Sequence, residues 1–218
     1  MADVIHSPDG RVSEILESVR GVFAQRGFDG ASMQDLARGA GMSAGNFYRY
    51  FSSKDAIIEA MVAQDLARVQ AEFAAIMESP DPREAFRRVI RDRVRSIAVD
   101  SDGPLWAEIE AASSRRAEIA EISHRMHETV ILHVSRVLAR IAGLPDADAH
   151  RFAPHATLVF MLVKGVAIHG CGHSVRVAQG SPSGSASPEV EALVLRTIDH
   201  VISDVVASAA AQTRSSMS

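Results

Sequence analysis

The run "SMQDLARGAGMSAGNFYRYFSSKD", Ser32–Asp55, decides the fold. Ser32, with Asp35 three residues on, has the spacing of a capped helix start. Gly39-Ala40-Gly41 stops that helix within two turns, Ser43 opens another short one, and Ser52-Ser53-Lys54-Asp55 opens a third. Two helices joined by so short a turn cross steeply only if the contact residue is small and the turn residue tolerates positive φ. Ala37 and Gly41 meet those two conditions. Leu36, Ala40, Met42, Phe47 and Tyr50 then form the inward set, and Phe51 is read as core. Ser43, Ala44, Gly45, Asn46, Tyr48 and Arg49 are left facing outward. From Leu36 to Lys54 there is no acid, while Arg38, Arg49 and Lys54 are all present.

Outward from this run, helical periodicity continues in both directions. Val12, Ile15, Leu16, Val19, Val22 and Phe23 mark a first helix ended by Gly27. A long helix follows Lys54, and Asp81-Pro82 starts the next, with Asp81 as cap and Pro82 at the first helical position. Leu105–Ala112 forms a shorter helix. Ile119 through Ile141 keep one apolar face along a long helix closed by Gly143. Phe152–Ile168 is apolar almost all round and predicts burial on several sides. A last helix carries Val190, Leu193, Val194, Ile198, Val201 and Val205. No segment reads as a strand, so the chain is predicted to be all-α with about nine helices. The expected division is an arm at 1–10, a three-helix helix-turn-helix domain at 11–53, and a larger helical domain at 54–208. Within the last, a flexible Gly/Ser-rich loop is expected at 170–187, and residues 209–218 form a disordered tail.

Bulk charge narrows the function. The 218 residues carry 23 Lys and Arg against 27 Asp and Glu, a net −4, so a polyanion can be met only by a local patch. The acid-free stretch around 36–54 is that patch. In a helix-turn-helix the start of the second helix enters the DNA major groove, and here that start is Ser43–Arg49. One cysteine, Cys171, precludes an internal disulfide framework. The N-terminus lacks the pattern of a signal peptide, and the apolar run Ala156–Ile168, broken by Lys164, is short for a bilayer. A cytoplasmic protein without membrane partners is expected.

Residues 11–62 resemble the DNA-binding domain of the tetracycline-repressor (TetR) family of bacterial transcriptional regulators. Phe23 and Gly27 closing the first helix, "SMQDLA", "AGMSAGNFYRYFSSKDAI" and above all its Phe-Tyr-x-Tyr-Phe-x-x-Lys ending carry the likeness. The resemblance implies a non-enzymatic homodimeric repressor on palindromic double-stranded operator DNA, released by a small hydrophobic ligand, with no cofactor. It also assigns DNA contact to Ser32, Gln34, Ser43, Ala44, Gly45, Asn46, Tyr48, Arg49, Tyr50 and Lys54. Gln34 and Asn46 suit adenine edges and Arg49 guanine or phosphate, while Tyr48 and Lys54 stand at phosphate-holding positions. Ala44 departs from the pattern, because many members carry lysine or another polar residue there.

The larger domain resembles nothing so specific. Its last two helices are expected to pair with those of a second copy. A ligand pocket is expected from Phe73, Phe86, Ile90, Trp106, Ile109, Met126, Val130 and Phe160, with Glu108 and Glu110 beside Trp106 suited to a lipophilic cation. Two other readings stay open. The chain can be a constitutive regulator or activator without an inducer, or, more distantly, an enzyme using Cys171 with His169 or His173.

Overall fold

A computed structural model describes residues 8–99, 102–177 and 188–215 of the chain. Among the described residues there are nine α-helices, one 3-10 segment and no strand, as the periodicity predicts. The helices are α1 (Pro8–Gly30), α2 (Met33–Gly39), α3 (Ala44–Tyr48), α4 (Lys54–Glu78), α5 (Pro82–Val99), α6 (Asp102–Ser113), α7 (Ala117–Ile141), α8 (Ala153–Val177) and α9 (Pro188–Ser215). A 3-10 segment, Asp146–Phe152, leads into α8 and had no signature in the periodicity.

The chain packs into two compact units, Met1–Asp65 with Pro104–His124, and Leu66–Gly103 with Arg125–Ser218. The first therefore joins the expected reading head to α6 and the start of α7, which sequence reasoning assigned to the other domain. Its core is built from Ile15, Leu16, Val19 and Phe23 of α1, Leu36 of α2, Phe47 of α3 and Ile57, Ile58 and Met61 of α4, all buried. Leu105, Ile109 and Ile119 are buried with them. Burying a side chain of this size contributes about 1.5–3 kcal/mol, which offsets the ordering of two helices too short to persist alone. Across α1 and α4, Arg20 and Asp65 form a buried ion pair at 2.9 Å.

The second unit centres on α5, α8 and α9. Phe86 of α5, Val137 and Leu138 of α7, Ala156 of α8, and Ile202 and Val205 of α9 share its core. Ion pairs tie α5 to its neighbours: Arg87 to Asp199 at 2.6 Å, Arg93 to Glu72 at 2.7 Å and Arg95 to Glu191 at 2.7 Å. Asp81 caps α5 as its position suggests, accepting from the Glu84 N–H at 3.0 Å.

Two expectations need correction. The segment from 170 was expected to be a loop, yet α8 runs on to Val177. Gly170 and Gly172 each cost a helix about 1 kcal/mol, too little to end one that a packed apolar stretch has already propagated. Residues 178–187 of that expected loop, and 216–218 of the expected tail, lie outside the described residues. Phe152–Ile168 was expected to be buried on several sides, but Leu158 and Met161 are exposed, the latter at 63%. The wider stretch Asp146–Ile168 is also long and apolar enough, by length and composition alone, to cross a membrane.

Candidate nucleic-acid interface

The site begins with the turn between α2 and α3. The Ala40 N–H donates to Leu36 O at 3.0 Å and the Met42 N–H to Ala37 O at 2.9 Å, closing α2. Gly41 sits between them at φ 66, a left-handed value that a Cβ would strain. Both short helices carry their own caps. Ser32 Oγ accepts from the Asp35 N–H at 3.1 Å, and Asp35 Oδ2 accepts from the Ser32 N–H at 3.1 Å, completing the box read from sequence. Ser43 Oγ accepts from the Asn46 N–H at 3.3 Å. For α4 the capping hydroxyl is Ser53, which accepts from the Ala56 N–H at 3.1 Å.

The sorting of α3 into two faces decides what it can do. Phe47 is fully buried and Phe51 nearly so, their rings 5.7 Å apart. Ser43, Gly45, Asn46 and Arg49 are exposed, and Tyr48 and Tyr50 stand 51% and 41% exposed; only Ala44 is partly covered. Tyr50 thus leaves the inward set assigned to it, because α3 ends at Tyr48 and the backbone turns its ring outward. Among the described residues Arg49 has no acidic partner, and the amides of Gln34 and Asn46 make no side-chain bond. The face is an exposed set of uncommitted donors and acceptors over a buried aromatic keel, the arrangement base and phosphate contacts require.

The two serines differ. The Ser32 hydroxyl gives its one hydrogen to Asp35 Oδ2 at 2.6 Å, whereas Ser43 Oγ only accepts and keeps its hydrogen for another partner. Asp35 is held below the usual carboxylate range, first by the Ser32 hydroxyl and N–H and then by Arg26 and Arg38. Arg26 reaches it at 2.7 Å and Arg38 at 3.3 Å. Lys54, assigned to a phosphate, is engaged within the chain: its Nζ donates to Phe28 O at 2.7 Å and lies 4.8 Å from the Phe28 ring centroid.

The expected pocket residues divide between the units. Trp106 and Ile109 belong to the first, and Phe73, Phe86, Ile90, Met126, Val130 and Phe160 to the second. The acids beside Trp106 serve the chain's own donors, not an open site. Glu108 accepts from the Phe28 N–H at 3.1 Å and Glu110 from the Ser123 hydroxyl at 3.1 Å. In the second unit the structure adds a polar pair that sequence reasoning missed, Lys164 Nζ at 3.0 Å from His127 Nε2. The His127 ring lies 4.9 Å from that of Phe160. Only the i, i+4 spacing of Phe160 and Lys164 on α8 hinted at it. The side chains of His169, Cys171 and His173 lie outside the described residues.

Comparison with known proteins converges on the same segment. Residues 15–61 match the family described as bacterial regulatory proteins, tetR family. The transcriptional regulator UidR of Escherichia coli is 29% identical over 126 residues, 57% of this chain and 62% of UidR, so the match spans about three-fifths of that relative. The transcriptional repressor KstR2 of Mycobacterium tuberculosis is 31% identical over 71 residues, 33% of this chain and 36% of its own. Salmonella enterica GusR superposes with a TM-score of 0.69 at 22% identity, over 91% of this chain and 98% of GusR, which extends the fold match across both units. Residues 15–61 therefore match the tetR family of bacterial regulatory proteins, and the fold of the chain is similar to that of GusR.

Proposed function

We propose that the protein is a homodimeric repressor that binds a palindromic operator through α2 and α3 and is released by a small hydrophobic ligand. The observation that carries this reading is the exposed, acid-free face of α3, with Gly45, Asn46, Tyr48 and Arg49 set over buried Phe47. On this reading Asn46 and Gln34 bond base edges, Arg49 takes guanine or a phosphate, and the Tyr48 and Tyr50 hydroxyls fix register on the backbone. Ser43 adds its uncommitted hydrogen. Gly45 lets the DNA come close, and Ala44 contributes apolar contact only.

A single head covers too few base pairs, and two-fold dimers of such heads reach half-sites about 34–36 Å apart. The exposed apolar positions of the second unit supply the pairing surface: Leu158, Met161 and Ile168 on α8, Val190, Leu193 and Val206 on α9. Ligand binding is assigned within the second unit to Phe73, Phe86, Ile90, Met126, Val130 and Phe160. The ligand acts by favouring one head spacing over another.

The test is duplex selection from a random pool by the purified protein, followed by titration in rising salt. Enrichment of an inverted repeat, with log K falling linearly in log salt, supports the reading. Binding that ignores sequence sinks it. Release of the selected duplex by a compound from a hydrophobic panel separates the ligand-responsive repressor from a constitutive regulator.

A further inference from the structure

We propose that Glu108 is a positioning residue for the reading head: its carboxylate, supplied by α6, fixes the α1–α2 corner and with it the angle at which α3 is presented. The proposal rests on the reading of α3 as the DNA reader.

The corner needs an external acceptor. Gly27 interrupts α1 at φ 72 and ψ 166, so the Phe28 N–H behaves as the first, unsatisfied donor of a new helical turn. Glu108, 80 residues along the chain, supplies the acceptor, its Oε2 at 3.1 Å. A Cβ on Gly27 would lie 2.9 Å from the same oxygen, so the glycine leaves open the space the carboxylate fills.

Phe28 and Asp29 are held from other sides as well. The Lys54 ammonium takes the Phe28 carbonyl at 2.7 Å. The Arg116 guanidinium lies 5.2 Å from the Phe28 ring centroid and pairs with Asp55 at 2.8 Å. Arg115 reaches Asp29 at 3.1 Å. Phe28 is buried and stacks on Phe23 with centroids 5.7 Å apart. Of these contacts the arginine pairs are partly or largely exposed and screened, so each contributes little. The Glu108 bond satisfies a part-buried backbone donor with a carboxylate, and losing it removes that acceptor from the donor.

The corner leads directly into α2. Ser32 caps α2 three residues after Asp29, and Asp35 is tied back to Arg26 on the far side of Gly27. A shift of residues 27–29 therefore moves α2, and α3 with it.

The experiment uses the full chain with Glu108→Ala, Glu108→Gln and Glu108→Asp. Amide hydrogen exchange at Phe28 reports the bond directly. Binding is measured on the duplex the wild type selects, and on the same duplex with half-sites moved apart by one base pair. In Glu108→Ala the Phe28 amide should exchange about tenfold faster. That variant should also lose most of the preference between the two duplexes, and any fall in its unfolding midpoint should be recovered in Glu108→Gln. Glu108→Gln keeps an acceptor oxygen at the same reach and should restore both readouts. Glu108→Asp, one methylene short, should resemble Glu108→Ala and serves if the alanine variant does not fold. Unchanged exchange in Glu108→Ala overturns the proposal, as does faster exchange with the duplex preference intact. A wild type that selects no inverted repeat overturns the DNA-binding reading instead, and exchange at Phe28 still decides whether the bond holds the corner.

Discussion

At the scale of single residues, the site separates groups committed to the fold from groups left for a partner. Arg49 is exposed and without an acidic partner among the described residues. Arg49→Ala should weaken binding of the selected duplex by about 1–3 kcal/mol if the guanidinium reads a base, measured by fluorescence anisotropy. Lys54 is the opposite case. Its ammonium bonds the Phe28 carbonyl at 2.7 Å, and a charged hydrogen bond of this kind contributes about 1.5–3 kcal/mol. Lys54→Ala should accordingly lower the urea unfolding midpoint. If stability holds while all duplexes bind more weakly and the salt slope drops by about one, Lys54 is a phosphate contact after all. The local signals here were legible from the start: Ser32-x-x-Asp35, Gly41 and the alternation of Phe47 with Tyr48 each state a local rule that the structure follows. The role of Lys54 was not legible, because Phe28 lies 26 residues away and no local spacing announces that contact.

At the scale of the element, α3 is only five residues long and has almost no stability of its own. Its persistence depends on the Ser43 cap and on burial of Phe47. Phe47→Ala should cost about 3–5 kcal/mol and unfold the head, whereas Ser43→Ala should cost about 1 kcal/mol. Thermal denaturation followed by circular dichroism distinguishes the two. On α7, His133 stacks on Phe73 with centroids 5.6 Å apart, and burial first, then Arg136, holds its imidazole below the ordinary 6.5. As pH falls the unfolded chain binds a proton at that position before the folded one does. His133 thus contributes nothing to the pH dependence well above 6.5 and destabilises progressively as pH drops through it. In His133→Phe, which keeps a ring against Phe73, the loss of urea stability between about pH 7.5 and about pH 5.5 should be smaller than in wild type.

At the scale of the whole molecule, the exposed apolar residues of α8 and α9 bear on assembly. Met161 and Leu193 are large apolar side chains 63% and 56% exposed. Leu193→Glu combined with Met161→Glu should give a monomer by sedimentation velocity and abolish selective duplex binding while each unit stays helical. The all-α fold could be read from periodicity, since helical faces are written within single segments. The division into units could not, because Glu108 of α6 and Arg116, just before α7, join the head through bonds to residues 80 and 61 positions earlier. That discontinuity matters during synthesis. A nascent chain emerging from the ribosome exposes its first 65 residues well before α6 follows, and until then the Phe28 amide and the Asp55 carboxylate wait for partners not yet made. Hybrid regulators spliced at the end of the helix-turn-helix would inherit that unfinished corner permanently, and a graft that preserves the reader has to carry residues 104–124 along with it.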